Sequence, residues 1–114
     1  MRYSFTKHFP FSASHESSGK IIGHNYVLGV TVAGAPGRTE EEALERGVRE
    51  TLIGRLESRD LGLHVDFLKG KDITDENLLR AFADLLSNHL KQTLVCLTLE
   101  RDRRTVTTLE LGIR

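Results

Sequence analysis

Two histidines are the residues of this sequence whose types and spacing first suggest chemistry. His15 ends a run of aromatic and small residues, and His24 begins a run of alternating apolar residues. If these runs form a hairpin, the two imidazoles lie close together, and imidazole is the commonest protein ligand of metals such as Zn²⁺. Two hydrogen-bonded histidines beneath a loop would explain the same spacing without a metal.

Two acidic positions form the second group of candidates. Glu100 ends an otherwise apolar segment, and Glu57 with Ser58 stands where a helical pattern ends. A lone acid after apolar residues can bind a ligand, or it can simply start a polar turn. Glu57 and Ser58 can belong to a site or to a solvated helix end.

The histidines require two strands to position them. Alternating aromatic residues over positions 3–15 predict the first strand, in which Pro10 indicates an edge or a bulge. The period-2 pattern from Tyr26 to Val32 predicts the second strand, which ends at turn residues 34–37. Positions 17–20 read as a loop, so we expect a hairpin with a long connection.

Two helices are predicted after the hairpin. Thr39 and Glu42 form a capping-box pattern, and the apolar stripe that follows predicts a helix ending near Asp60. An irregular connector runs to Asp72. Thr74 is then predicted as the N-cap of a second helix, with acidic residues in its first turn.

The remaining elements complete an α+β fold. Residues 93–100 and 105–113 predict two antiparallel strands joined by a turn at 102–104. The order ββααββ predicts one domain over residues 1–114, with a four-stranded antiparallel sheet and both helices on one face. Because such a sheet leaves edges and a face uncovered, we expect a homo-oligomer.

Composition excludes several classes of protein. With 114 residues the chain is expected to form a single domain, and its single cysteine excludes a disulfide framework or a cysteine-based zinc module. Sixteen basic and sixteen acidic residues argue against nucleic-acid binding. The sequence has no apolar run long enough for a membrane helix and no signal-peptide core, so we expect a cytoplasmic protein.

Four short motifs together resemble the 6-pyruvoyl-tetrahydropterin synthase and 6-carboxy-tetrahydropterin synthase family. They are Phe11 to His15, Gly23 to Tyr26, Leu56 to Leu61 and Thr74 to Leu78, and they occur in the family's order. The resemblance implies the T-fold (tunnelling fold), a homo-hexamer of two stacked trimers, and active sites between subunits. It implies carbon–oxygen lyase activity on a pterin, 7,8-dihydroneopterin triphosphate.

The resemblance also implies a zinc site of three histidines. His15 and His24 match the first and third ligands, whereas Ile22 stands at the second. A catalytic zinc normally has three protein ligands, so a site with two should bind zinc more weakly unless another residue substitutes. Three residues are candidates for that substitution: His64 first, then Glu16 and His8.

The catalytic positions implied by the resemblance carry different residues. Ser18 stands at the position of the family's catalytic cysteine, and Glu57 with Ser58 at the position of its Asp-His pair. A serine hydroxyl ionises far less readily than a thiol, and serine cannot transfer protons as imidazole does. Standard synthase activity is therefore in doubt.

The ligand-binding positions match better. Glu100 matches the glutamate that anchors the pterin ring, and one carboxylate can accept the two adjacent N–H donors of a pterin. Thr74 matches the start of the second helix, where its alternative role is plain capping. Three hypotheses stay open: a pterin-binding protein with altered or no chemistry, an active zinc-dependent pterin synthase, and a structural or regulatory T-fold protein.

Overall fold

The computed structural model describes residues 1–112, which form a four-stranded antiparallel sheet with helices on one face. The order across the sheet is β1-β2-β3-β4. This confirms the predicted α+β architecture. The predicted end of the last strand, Ile113, lies outside the described residues. The strands are β1 (Ser4–Ser17), β2 (Lys20–Ala33), β3 (Leu94–Arg101) and β4 (Thr105–Glu110).

Two helical segments connect the hairpins. The first is α1 (Arg38–Val48), which a π-helical turn (Arg49–Ile53) and a short α2 (Gly54–Leu56) continue. The second is α3 (Asp75–His89). A 3-10 turn (Asp66–Leu68) lies in the connector between them. The helices of residues 1–112 are too short or too polar to cross a membrane.

The β1–β2 hairpin is longer and tighter than expected. Its ladder pairs every residue from Ser4 opposite Ala33 to Ser17 opposite Lys20. Only Ser18 and Gly19 form the turn, with φ of 52° and 78°. Positive φ at both central residues is the type I′ geometry that matches the twist of paired strands. The long connection was therefore a wrong prediction, because backbone pairing continues through polar residues that lack an apolar pattern.

The two helix starts had different outcomes. Thr74 is the N-cap of α3, and its Oγ1 accepts a hydrogen bond from the Asn77 N–H at 3.1 Å, as predicted. The capping box at Thr39 was wrong, because α1 begins at Arg38 with Gly37 as its N-cap and without a side-chain cap. Thr39 already has helical geometry and therefore cannot act as the extended N-cap residue.

The first helical segment ends at Leu56, before the predicted end near Asp60, and the residues that follow it lie along the outer edge of β1. Glu57 leaves the helical conformation, and Ser58 has a φ of 58°. The Ser58 N–H then donates to the Ser12 carbonyl at 2.6 Å, and a parallel bridge joins Ser14 to Asp60. Residues 58–61 therefore cover part of the β1 edge.

The sheet has one buried and one open face. Phe9, Phe11 and Ala13 of β1 are buried against the helices. Leu28 and Tyr26 of β2, which are opposite Phe9 and Phe11, are buried on the same face. Because side chains alternate between faces, the intervening residues of each strand lie on the open face. This alternation decides which candidate side chains can meet.

Candidate functional site

The two histidines lie close together, as the hairpin predicted, and they are on the helix side of the sheet. His15 is opposite Ile22 in the ladder, and His24 is opposite Ala13. The His15 and His24 rings stack with centroids 5.3 Å apart and an angle of 27° between planes. Ile22 therefore shares the face of both imidazoles and presents an alkyl group beside them.

Asp102 holds the ring of His24. Oδ2 of Asp102 lies 2.6 Å from Nδ1 of His24, and its Oδ1 accepts the Asn25 backbone N–H at 2.8 Å. These two hydrogen bonds, the backbone one foremost, hold the pKa of the Asp102 carboxyl below its usual range. With Nδ1 occupied, the other ring nitrogen of His24 is the one available to a proton or a ligand.

A pocket of about 410 Å³ opens between this pair and the start of α3. It brings His15 and His24 together with Thr74, the N-cap residue. Tyr26 lies on its floor, and burial, reinforced by the charge of Asp75, raises the pKa of Tyr26 to about 12. The phenol is therefore neutral at ordinary pH, and the charged residues of this pocket are Asp75 and Arg101, beside the two imidazoles.

Glu57 and Glu100 meet in a second pocket, of about 460 Å³, on the open side of the sheet. Glu100 is opposite Val27 in the β2–β3 ladder, one position from the buried Leu99, so it points away from the helices. Oε2 of Glu57 accepts the backbone N–H groups of Ser12 at 2.8 Å and of Ser58 at 3.1 Å. Glu100 is thus the carboxylate of this pair that is not occupied by those backbone donors.

A third pocket, of about 290 Å³, adjoins the second and brings Ser58 together with His24. The two pockets share Ser12, Asn25 and Asp102. Asp102 therefore lies between the Glu100 pocket and the histidine pair.

Within one chain, Ser18 lies apart from Glu57 and Ser58, the other two positions predicted to be catalytic. It is exposed in the turn at the hairpin tip, whereas Ser58 bonds to β1 at Ser12. Ser18 is six positions along the chain from Ser12, roughly 20 Å at the usual rise of a strand. Only a neighbouring copy of the chain could bring a Ser18 to Glu57 and Ser58.

The three residues predicted as substitutes for the missing metal ligand do not lie beside the histidine pair within one chain. His64 lines a different pocket, with Arg55, Arg59 and Asp66. Glu16 and His8 lie on the opposite face of β1 from His15 because they alternate with it. Among residues 1–112, the side chains of histidine, cysteine, aspartate and glutamate form no group of three arranged to hold a metal ion.

Asp102 was missed as a site residue, although the turn that contains it was predicted. Nothing in the sequence links it to His24, since 78 positions separate them. The one available signal was the acidic residue immediately after the strand that ends in Glu100 and Arg101.

Comparisons with known proteins identify the fold. The solved structure of Caenorhabditis elegans 6-pyruvoyl tetrahydropterin synthase matches this chain with a TM-score of 0.83, over 98% of this chain and 97% of that one. The two are 20% identical in sequence. No family model matches the chain, and no curated protein matches it. The chain therefore has the T-fold of that synthase, as predicted.

Proposed function

We propose that this chain is a divergent member of the pterin synthase family that binds a pterin of the dihydroneopterin triphosphate class and lacks the standard synthase reaction. The supporting observation is the carboxylate of Glu100 in a pocket of about 460 Å³, within the range of about 300–1,000 Å³ typical of small-molecule sites. The likeness of fold and the short motifs around His15, His24 and Thr74 support the family assignment.

Recognition of a pterin follows from the chemistry of Glu100. A carboxylate is an acceptor with two oxygens, and the amino group and ring N–H of a pterin are adjacent donors in one plane. Glu57 is less suited to the same role, since its Oε2 already accepts two backbone N–H groups and a paired contact uses both oxygens. Glu100 is therefore the residue that recognises the pterin ring.

The loss of the standard reaction follows from three replacements. Ser18 and Ser58 offer hydroxyls in place of a thiolate and an imidazole, so neither can exchange a proton readily near neutral pH. Ile22 removes the ligand beside His15 and His24. One replacement could be compensated locally, but three affect both the metal and the proton transfer.

Zinc would need a donor from outside the chain. A catalytic zinc takes three protein ligands and one open position, and one chain supplies two imidazoles beside an isoleucine. The donor set of a single chain does not fit that site. In a homo-hexamer of the kind that the family resemblance implies, His64 of a neighbouring copy, which is exposed in one chain, is the donor to test first.

Calorimetry with a simple pterin tests the binding proposal. The wild-type chain should bind, and Glu100→Gln and Glu100→Ala should lose binding by about tenfold or more, the cost of a charge-assisted pair of hydrogen bonds. Glu110→Ala removes an exposed carboxylate at the end of β4 and should bind like wild type. Absence of heat with the wild-type chain would contradict the proposal and favour a structural T-fold protein.

A turnover assay tests the second hypothesis, an active synthase. With dihydroneopterin triphosphate and added zinc, we expect neither phosphate release nor a change of the pterin absorbance. Turnover that disappears in Ser18→Ala would instead establish an active enzyme with altered catalytic residues.

A further inference from the structure

The turn between β3 and β4 has a geometry that its residues do not favour. The Arg104 N–H donates to the Arg101 carbonyl at 3.1 Å, and the two central residues, Asp102 and Arg103, have φ of 55° and 60°. Left-handed backbone is unfavourable for an ordinary residue, whereas glycine adopts it freely and aspartate tolerates it. Turn formation alone therefore does not explain an arginine at position 103, and a strained residue points to a role for its side chain.

The turn is held firmly against β2. The Asp102 N–H donates to the Asn25 carbonyl at 2.7 Å, while its carboxylate accepts the Asn25 N–H and contacts the His24 ring. Because both the backbone and the side chain of Asp102 are fixed, the next residue leaves the turn in a defined direction.

The three arginines of this turn have different surroundings. Arg101 is half-buried, and its Nε lies 3.3 Å from Oδ1 of Asp75. Arg104 is exposed and is not part of the pocket wall. Arg103 lines the pocket that contains Glu57 and Glu100, and is the cationic residue of its wall.

The carboxylates of that pocket do not neutralise Arg103. Asp102 is bonded to His24 and Asn25, and Glu57 accepts two backbone N–H groups. Within residues 1–112, none of the ion pairs shorter than 4.0 Å includes Arg103. The guanidinium is therefore available to an anionic group of a ligand whose ring occupies the pocket.

We infer that Arg103 selects pterins that carry an anionic substituent, a carboxylate or a phosphate, by pairing with that group while Glu100 accepts the ring donors. This inference rests on the proposed pterin binding. Glu100 and Arg103 line the same pocket, so a ligand that carries both N–H donors and an anionic group can pair with both side chains. A guanidinium suits either anion because it can donate two parallel N–H bonds.

Matched ligand pairs test the inference. Calorimetry would compare pterin with 6-carboxypterin, and neopterin with neopterin monophosphate, on the wild-type chain, Arg103→Gln and Arg104→Gln. The wild-type chain should bind the anionic member of at least one pair about tenfold more tightly, and added salt should reduce that preference. Arg103→Gln should abolish the preference, and Arg104→Gln should keep it.

The outcomes separate this inference from the proposed function. Equal affinity for neutral and anionic members on the wild-type chain would overturn the role of Arg103 while leaving pterin binding intact. An equal loss of preference in Arg103→Gln and Arg104→Gln would also overturn it, because the effect would then come from the general charge of the turn. No binding of any of the four ligands would overturn both.

Discussion

Oδ2 of Asp102 lies 2.6 Å from Nδ1 of His24, so the turn between the last two strands is bonded to the hairpin that carries the histidine pair. The contact joins residues 78 positions apart, and the side chain of His24 is 14% exposed. The same carboxylate accepts the Asn25 N–H. One acid therefore fixes the orientation of an imidazole and the position of the turn that contains Arg103.

Removal of the Asp102 carboxylate should loosen both the His24 ring and the turn between β3 and β4. Asp102→Ala is expected to lower the free energy of unfolding by about 1 kcal/mol, less than the roughly 1.5–3 kcal/mol of a hydrogen bond to a charged group, because the side chain is partly exposed. Urea unfolding measures the loss, and nitrogen-15 shifts of His24 should show a mixture of ring tautomers. Asp84→Ala, which removes an exposed acid of α3, should change stability by less than about 0.5 kcal/mol. A single fixed tautomer of His24 in Asp102→Ala would contradict the role assigned to Asp102.

Ile22→His should complete a three-histidine metal site. Position 22 is opposite His15 and on the face of His24, so a third imidazole there can converge on the same ion. Elemental analysis after dialysis against trace zinc should give about one zinc per chain for this variant and less for the wild-type chain. Ile21→His is the matched control, because Ile21 is 74% exposed and lies on the other face. Equal zinc content in the two variants would show that the register of the hairpin does not determine metal binding.

Glu57 should contribute to stability more than to ligand binding. Its carboxylate accepts the N–H groups of Ser12 and Ser58, which attach the end of the first helical segment to β1. Glu57→Ala is expected to cost about 1–2 kcal/mol and to speed hydrogen exchange at both amides. Glu50→Ala, at an exposed position of the π-helical turn, should show neither effect. If Glu57→Ala weakens pterin binding without a change in stability, Glu57 belongs to the ligand site instead.

Tyr26 should make the chain less stable in alkaline solution. Burial raises its pKa to about 12 in the folded chain, against about 10 when it is unfolded. Between about pH 10 and 12 the unfolded chain releases the phenolic proton that the folded chain retains, so the free energy of unfolding falls as pH rises. Tyr26→Phe should reduce this fall, measured by urea unfolding across the window. Tyr3→Phe, at an exposed residue, should keep the wild-type slope; a slope unchanged in Tyr26→Phe would contradict the assignment.

Local sequence patterns predicted a helix or strand boundary well where contacts within three or four residues determine that boundary. Thr74 caps α3 because its hydroxyl needs only the N–H of Asn77, three residues away. Thr39 has the same type of pattern and fails, because Gly37 takes the extended conformation two residues earlier. The hairpin was underestimated because the apolar alternation stops near Tyr26, whereas the ladder continues to Lys20.

The site depended more strongly on contacts that no local pattern encodes. The proximity of His15 and His24 followed from the hairpin alone. The contact of Asp102 with His24 requires the register of β2 against β3, in which Tyr26 is opposite Arg101. The hydrogen bond of Glu57 to Ser12 likewise requires the packing of the helix end on β1.

The outer edge of β1 is poorly suited to templating aggregation. The N–H groups of Ser12 and Ser14 point outward and are taken by Glu57 and Arg59. Pro10 occupies an outward position of the same edge and has no N–H to offer. An incoming strand from an unfolded molecule could therefore pair with residues 4–9, but it would find no free N–H donor at positions 10, 12 and 14, which shortens the edge open to intermolecular pairing.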